Sequence, residues 1–245
     1  NFCLLTPEIL DKINQVVVKH GHKLLKKKSE SLKTRCDSFV LETDVHFPTD
    51  TNLLSDAMRK VITLTARLCK ENGITEWRQS KHNLGKIKRM YLKAQRLKRS
   101  NSQNQDKKEA HEKTIIEAHR LYIEIANEYL EKAETSLSIL RNKASIMDNV
   151  WIEEIEGFIK HARRQIDQIK RRVIEGEKIP HQEKIFSIFE EHTEWISKGK
   201  AGVPVELGVR VCIMEDQYGF ILNSRVMEKE NDDKVAVSMV SGAKS

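Results

Sequence analysis

The sequence predicts an α+β fold, and three features of the chain lead to that prediction. A β-branched stretch with period-two alternation occupies residues 35–47, and helical periodicity then runs almost without interruption from 51 to about 176. Alternating apolar runs return at 203–230, on either side of a Gln217–Gly219 turn that is typical of a β-hairpin. Charged residues make up 32% of the 245 and hydrophobic residues 39%, a balance typical of a chain with much exposed helical surface.

The first predicted element is an amphipathic helix near the start of the chain. Thr6 is a candidate N-cap, and Pro7 suits the first helical position. The apolar side chains of this helix share one face: Leu10, Ile13, Val17 and Leu24. The strand at 35–47 follows, and Pro48 ends it.

The helical block contains four apolar stripes, which predict an antiparallel bundle or long helical hairpins. The third stripe is a heptad pattern whose first set of positions is Ile116, Ile123, Leu130, Leu137 and Ala144. Its second set is Ala126, Ala133, Leu140 and Met147. Strand character is predicted to return at 184–191, and a last helix to begin at Asn231 or Asp232.

These elements divide the chain into four segments. We expect an N-terminal helical segment at 1–30, a first strand at 31–50, a helical insertion at 51–178, and further strands with the start of a helix at 179–245. Without the insertion the order is β–β–β–α, which is how an RNase H-like domain begins. Other α+β folds share this order of elements.

The net charge, the cysteines and the hydropathy of the chain indicate which partners and which redox compartment to expect. The net charge of +7 and the pI of about 9.1 favour a polyanionic partner such as nucleic acid. The cysteines lack metal-ligand spacing and suggest no disulfide framework, so we expect a reducing, intracellular setting. They are Cys3, Cys36, Cys69 and Cys212. No apolar run approaches the roughly 18 residues of a membrane span, so no membrane partner is expected.

Five carboxylates fall within residues 35–57, in an otherwise apolar, β-branched run. They are Asp37, Glu42, Asp44, Asp50 and Asp56. In one interpretation Asp50 caps the helix that follows, and Glu42, Asp44 and Asp56 face solvent. This does not explain Asp37, which enters a strand that leads into a core, where a carboxylate must be hydrated, paired or bound to a cation. Phosphodiester chemistry uses strand-borne carboxylates in this way, with Mg²⁺ or Mn²⁺ as the hard cation. Paired carboxylates for glycoside hydrolysis are a third reading, and the chain shows no aromatic-rich sugar cleft to favour it.

The segment DSFVLETDVHFPTDTNLL, residues 37–54, resembles the first catalytic block of insertion-sequence transposases of the DDE class, close to the group known as ISNCY. In that family an aspartate is followed by a strand with a Val–Glu–Thr-like element and then HFPTD or HYPTD before a helix. A second segment, EKIFSIFEEHTEWISKGKAGVPVELGVRVCIMEDQYGFI at 183–221, resembles another part of the family. The two segments lie in the family's order and bracket the helical block.

The resemblance implies an incomplete RNase H-like domain that a long all-helical insertion interrupts after its first strand. It also implies a transposase of a prokaryotic insertion sequence, located in the cytoplasm with the nucleoid. The family's first catalytic aspartate falls on Asp37, as a ligand of Mg²⁺ or Mn²⁺. Glu42, Asp44 and Asp50 match the motif but not the metal-ligand position, and Asp216 falls in a turn that is structural in the family. The second aspartate belongs to an Asp–Lys–Gly-like element on a later strand, and a glutamate follows it. Neither occurs in this sequence, so we expect a fragment that is inactive alone and binds the metal ion only as part of a complete catalytic domain.

A basic segment at 76–99 carries nine lysine and arginine residues against one glutamate. Four of the basic residues, spaced 3, 4 and 3 apart, share one helix face: Lys86, Arg89, Lys93 and Arg96. One interpretation is that this face contacts DNA phosphates without base specificity. The other is a solvated bundle face that complements acidic neighbours on the third helix, namely Glu124, Glu128, Glu131 and Glu134.

Two functions follow from these observations. The first is a transposase fragment whose partners are transposon ends and target DNA, with a homodimer on DNA as one arrangement. The second is a non-enzymatic basic helical scaffold that binds DNA or self-associates through the heptads at 116–147, or a decayed transposase copy. A downstream Asp–Lys–Gly-like strand and a helical glutamate would favour the enzyme, and a stop codon after Ser245 would favour the scaffold or the decayed copy.

Overall fold

The computed structural model of the chain describes residues 5–25, 31–97, 104–142, 145–197, 202, 204–228, 230 and 232–242. Within these ranges the fold is α+β, with six α-helices and one four-stranded antiparallel sheet, which confirms the predicted class. The chain forms two compact units. Unit 1 combines Asn1–Asp44 with His192–Ser245, and unit 2 is Val45–Glu191.

The helices and strands have the following bounds in chain order. Unit 1 begins with α1 (Pro7–Leu24) and β1 (Thr34–Glu42). Unit 2 contains α2 (Asp50–Glu71), α3 (Ser80–Arg96), α4 (Gln105–Arg141) and α5 (Ile146–Ile169), which continues as a π-helical turn at Lys170–Ile174 and is followed by a short 3₁₀ turn at His181–Glu183. Unit 1 resumes with β2 (Glu194–Ser197), β3 (Val205–Asp216), β4 (Ile221–Val226) and α6 (Asp232–Gly242).

The long strand β3 organises the sheet of unit 1. One edge of β3 pairs antiparallel with β1 over the whole of that strand, from Thr34 opposite Asp216 to Glu42 opposite Gly208. Its other edge pairs with β2 at the beginning of the strand and with β4 at the end. Two segments that lie far apart in the sequence therefore form one sheet because both pair with β3.

Helix α6 covers one face of this sheet. A small apolar cluster joins the helix to the strands and consists of Cys212, Met214, Met227, Val235 and Met239. The Asn223 Nδ2 donates to the Met239 carbonyl at 3.1 Å and fixes the helix on β4. Because side chains alternate along a strand, the even-numbered positions of β1 and β3 face α6 and the odd-numbered positions face the other side.

Helix α1 forms as predicted, but its apolar stripe does not pack within the described residues. Leu10, Ile13 and Val17 are each about half exposed. The helix instead contacts the β3–β4 hairpin through another face, where the Asn14 Nδ2 donates to the Ile221 carbonyl at 2.9 Å. Gly21 lies so close to the Phe220 ring that a Cβ at that position would overlap it. Close approach of the backbone, rather than burial of the stripe, holds this helix on the hairpin.

Unit 2 is a helical bundle with α2 at its centre. The side of α2 that carries Leu54, Met58 and Val61 is fully buried against α5, α3 and α4. The α4 heptad positions Ala126, Leu130, Ala133, Leu137 and Leu140 are also buried in this core. Helix α4 ends at Arg141, so the predicted continuation of the heptads is interrupted. Ala144 lies outside the described residues, and of Met147 only the backbone is described.

Two sequence predictions of strands need correction. The predicted strand at 35–47 ends at Glu42, although the Thr43 N–H still donates to the Leu207 carbonyl at 3.1 Å. The segment 184–191 forms no strand, because the Ser187 hydroxyl accepts hydrogen bonds from the Phe189 and Glu190 amides and turns the chain. Ile188 then packs into the helical core of unit 2. The short strand β2, which begins at Glu194, was not predicted from the sequence.

None of the described helices is long and apolar enough to cross a membrane.

Gly208 offers a direct test of the β1–β3 pairing. A Cβ at this position would lie 2.9 Å from the Glu42 Cα and closer still to the Leu41 carbonyl oxygen, both of them backbone atoms. We predict that Gly208→Ala destabilises the pairing by about 1–3 kcal/mol, because β1 must shift to admit the methyl group. Amide hydrogen exchange in β1 and β3 should then become roughly tenfold faster.

The matched control is Gly85→Ala in α3, where an added Cβ meets no atom within 4 Å. This substitution should stabilise the helix by about 0.5–1 kcal/mol, because alanine loses less conformational entropy on forming a helix. Unchanged exchange in β1 and β3 of the Gly208→Ala protein would show that the strands are not paired at this register.

Candidate functional site

The candidate catalytic residue Asp37 lies in β1, opposite Ile213 of β3. Its odd-numbered position places the side chain on the sheet face away from α6, where it is exposed. The Asp37 Oδ1 accepts a hydrogen bond from the Ser38 N–H at 2.9 Å. No described residue forms an ion pair with this carboxylate, which is therefore accessible to a partner from solvent.

On this face, the neighbours of Asp37 are charged toward the start of β1 and apolar toward its end. Two residues earlier, Arg35 forms an ion pair with Glu215 of β3. Two residues later, Phe39 is 41% exposed, and Leu41 beyond it is 59% exposed. Val226 of β4 lies on the same face and is also exposed. The candidate carboxylate therefore stands at the border of an uncovered apolar sheet face.

The described residues do not form a metal site around Asp37. No group of three histidine, cysteine, aspartate or glutamate side chains in the described part of the chain is arranged to hold a metal ion. Mg²⁺ and Mn²⁺ are usually held by more than one oxygen ligand from the protein or its substrate. A single exposed carboxylate does not fit a resident metal ion, so these residues alone do not support a metal-dependent step.

Asp216, the other carboxylate considered from the sequence, is structural. Its side chain is fully buried and its Oδ1 accepts hydrogen bonds from the Tyr218 N–H at 2.8 Å and the Phe220 N–H at 3.0 Å. The His22 Nε2 contacts its Oδ2 at 2.5 Å, and the His22 ring packs edge-on against Phe220. This residue closes the β3–β4 turn and ties α1 to it.

The pKa of Asp216 is lowered by these contacts. Burial alone raises the pKa of the carboxyl, but the hydrogen bonds from His22 and from the Phe220 and Tyr218 amides together outweigh burial. The stability that this group contributes is therefore present above its unfolded pKa of about 3.9 and is lost as the pH falls through the lower folded value.

We predict that Asp216→Asn removes this acid sensitivity. The asparagine carbonyl oxygen can still accept from the Tyr218 and Phe220 amides, but it carries no charge that acid could neutralise. Between pH 5 and pH 2.5, hydrogen-exchange protection of the hairpin should fall in the wild type and stay flatter in the variant. An equally steep loss in both proteins would show that another group controls acid unfolding of this turn.

The HFPTD element, residues 46–50, connects β1 to α2 and builds the beginning of that helix. The Thr49 hydroxyl, not the predicted Asp50, caps α2 by accepting from the Asn52 N–H at 3.1 Å. The His46 Nε2 contacts the Asp56 Oδ2 at 2.5 Å, and its Nδ1 contacts the Phe47 carbonyl at 3.2 Å. The motif residues thus have structural roles at the start of the helix.

The two contacts of His46 also change the pKa of its imidazole. Burial lowers the pKa of the imidazole, but the hydrogen bonds to Asp56 and to the Phe47 carbonyl outweigh burial and raise it overall. Its contribution to stability is complete below the unfolded pKa of about 6.5 and is lost as the pH rises through the folded value.

The remaining carboxylates of the run have separate environments. Asp50 forms an ion pair with Arg172, with the Nε atom 2.7 Å from Oδ2. Asp56 is only 19% exposed and lies near Arg59 as well as His46, so the prediction that it simply faces solvent was wrong. Glu42 and Asp44 are exposed, as predicted. The five carboxylates therefore do not converge on one centre.

Of the four basic residues predicted to share one face of α3, one forms an ion pair within the described residues and three do not. Lys86 forms an ion pair with Glu128 at 3.3 Å and lies over the Tyr129 ring. Arg89, Lys93 and Arg96 are exposed, and none of them forms an ion pair with a described residue. The three border an open depression of about 390 Å³. Lys98 and Arg99, which also belong to the basic segment, lie outside the described residues.

The beginning of α2 holds this part of α3 in place. The Asn52 Nδ2 donates to the Phe47 carbonyl at 3.0 Å, and its Oδ1 accepts from the Tyr91 hydroxyl at 3.1 Å and from the Gln95 Nε2 at 3.2 Å. Tyr91 and Gln95 flank Lys93 on the helix. The connecting motif therefore positions the basic face, although nothing in the sequence pattern pairs Asn52 with residues some 40 positions later.

A larger cavity of about 510 Å³ opens at the same end of unit 2. Its lining includes Lys108, Glu112 and Arg172, and Arg172 is neutralised by Asp50. Because its charges balance, the cavity favours neither an anionic nor a cationic ligand.

The sequence interpretation missed the contacts that join distant segments. The pair His22–Asp216 spans 194 positions, and the close approach of Cys36 to Cys212 spans 176. Neither pair has a local pattern, since the packing of α1 on the β3–β4 hairpin brings His22 to Asp216 and the β1–β3 pairing brings Cys36 to Cys212. The one local pattern that bears on these contacts is the turn sequence around Asp216, which predicts the hairpin but not its partner His22.

The chain matches no family model, and no curated protein or solved structure matches it. The transposase resemblance therefore stays a prediction that rests on the two quoted segments.

Proposed function

We propose that the chain is part of a DDE-class transposase with an RNase H-like catalytic domain, and that Asp37 is its first catalytic carboxylate. One observation carries the proposal. The two segments that resemble the family lie on either side of the helical unit in the sequence, yet they supply β1 and β3 of one sheet. Asp37 is exposed on the open face of that sheet.

The order of the strands supports the RNase H-like interpretation. β1 lies beside β3, β3 lies beside β4 as a hairpin, and α6 follows and packs on the sheet. This is the β–β–β–α beginning expected from the sequence, with β2 as a short addition. In the described residues β1 pairs on one edge only, so its outer edge has free backbone groups for a further strand. The resemblance places the second aspartate on such a strand.

The exposed carboxylate of Asp37 is the part of the chemistry that this sequence supplies. A complete catalytic domain would add the second aspartate and the glutamate, and would then hold the divalent metal ion that the resemblance implies. Cleavage of DNA at the transposon ends and strand transfer into a target are proposed for that complete protein.

The direct test uses a form of the protein that also carries the two further carboxylates. We predict that Asp37→Asn reduces strand transfer of a labelled transposon end by about a thousandfold or more, because a metal ligand contributes several kcal/mol to the transition state. The matched control is Asp44→Asn, which changes an exposed carboxylate of the same motif and should leave strand transfer nearly unchanged. Full activity of the Asp37→Asn protein would refute the proposed role.

The second candidate function is DNA binding by unit 2 without catalysis. A row of three basic side chains along one face of α3 favours this function. Arg89, Lys93 and Arg96 are exposed, repeat on one helix face and have no described carboxylate partner. Such a row can follow the phosphates of a duplex without reading its bases. The other feature of this alternative is the heptad pattern of α4, and five of its side chains are buried within the unit: Ala126, Leu130, Ala133, Leu137 and Leu140.

Charge reversal tests phosphate contact on the present chain. We predict that the double variant Lys93→Glu and Arg96→Glu binds duplex DNA more weakly, and that the slope of log K against log salt becomes shallower by about 2. The control is Lys160→Glu with Arg164→Glu, two exposed basic residues of α5 that give the same change in net charge. Fluorescence anisotropy over a salt series measures both variants.

Equal effects of the two double variants would mean that only the overall charge matters, and that α3 is not the contact surface. If Asp37→Asn abolishes strand transfer and binding still depends on α3, both functions belong to one protein.

A further inference from the structure

Two thiols of unit 1 lie in contact across the β1–β3 pair. The Cys36 Sγ and the Cys212 Sγ are 3.3 Å apart. Cys36 is opposite Met214, and Cys212 is opposite Ser38, so the two cysteines are diagonal neighbours on one face of the sheet. Both cysteines are at even-numbered positions of their strands, so both side chains lie on the sheet face that α6 covers.

The two thiols differ in their access to solvent. Cys36 is exposed, whereas Cys212 is 2% exposed and packs in the cluster beneath α6. A reagent can therefore reach Cys36 first, and Cys212 is already in contact to react with it. Cys69 is fully buried in the core of unit 2 and offers no such access.

We propose that Cys36 and Cys212 form a disulfide-forming pair that reacts with a low-molecular-weight disulfide such as oxidised glutathione. Attack by the Cys36 sulfur on the glutathione disulfide gives a mixed disulfide and releases one glutathione thiol. Attack by the Cys212 sulfur on the Cys36 sulfur then forms the Cys36–Cys212 bond and releases the second thiol. The two cysteines lose two electrons and two protons, and the glutathione disulfide is reduced to two thiols.

The position of the bond gives it a physical consequence. Unit 1 is made from two separate stretches of chain, with the whole of Val45–Glu191 between them. A bond between β1 and β3 would join those stretches covalently and limit how far β1 can separate from β3 when the sheet opens. The pair would thus act as a redox-dependent clamp on the strand that carries Asp37, whatever the role of Asp37 proves to be.

The first experiment treats the folded chain with oxidised glutathione and maps its peptides without reduction. The expected product is a monomer that has lost two hydrogen atoms and yields one linked peptide pair containing Cys36 and Cys212. Cys36→Ser should abolish the linked pair, and since Cys36 is exposed this variant should keep its fold. Cys3→Ser, which removes a different cysteine, should leave the linked pair in place.

A second measurement tests proximity in the reduced protein without oxidation. Phenylarsine oxide binds two neighbouring thiols at once, so the folded wild type should take up one arsenical and the Cys36→Ser variant none. Hydrogen exchange in β1 and β3 of the oxidised wild type should slow about tenfold or more relative to the reduced protein.

Two outcomes would overturn the proposal. One is a product with glutathione held on Cys36 and no bond to Cys212. The other is a disulfide that joins two chains through Cys36 rather than two strands of one chain.

Discussion

The backbone hydrogen bonds between β1 and β3 are the interaction on which unit 1 depends. The chain leaves this unit after Asp44 and returns at His192, so no local turn sets the register of the two strands. The register is instead fixed by Gly208, where the backbone of β1 approaches too closely for any side chain, and by the alternation that turns Cys212 and Met214 toward α6. The exposure of Asp37 on the opposite face follows from the same register.

Unit 2 depends on a different constraint, the burial of α2 on several sides. Because α2 is central, the cap at Thr49 and the side chain of Asn52 determine how the neighbouring helix α3 lies. The motif that resembles a catalytic block therefore has two physical roles along its length. Its first residue lies exposed on a strand, and its last residues begin the helix that supports a basic face.

Much of the helical structure could be predicted from the sequence, because the signals are local. The stripe through Leu54, Met58 and Val61, the heptads through Leu130 and Leu137, and the Gln217–Gly219 turn all appear in the structure. The apolar run at 184–191 was misleading, because alternation alone cannot distinguish a strand from a turn whose side chains enter a helical core. The site was harder to predict, since the partners of His22, Cys36 and Asn52 are chosen by tertiary pairing rather than by spacing. Asp37 was chosen as a candidate from its placement in a strand and from the resemblance, and the structure adds only that it is exposed.

The exposure of Asp37 and the packing of α6 both depend on the register of β1 against β3, which backbone NOEs in uniformly labelled protein can measure. These NOEs should place Asp37 opposite Ile213 and Ser38 opposite Cys212, in the antiparallel order from Thr34 to Glu42. A register shifted by one residue would turn the Asp37 carboxylate toward α6 and away from the open face. That result, or the absence of NOEs between the two strands, would show that β1 and β3 are not paired in this register.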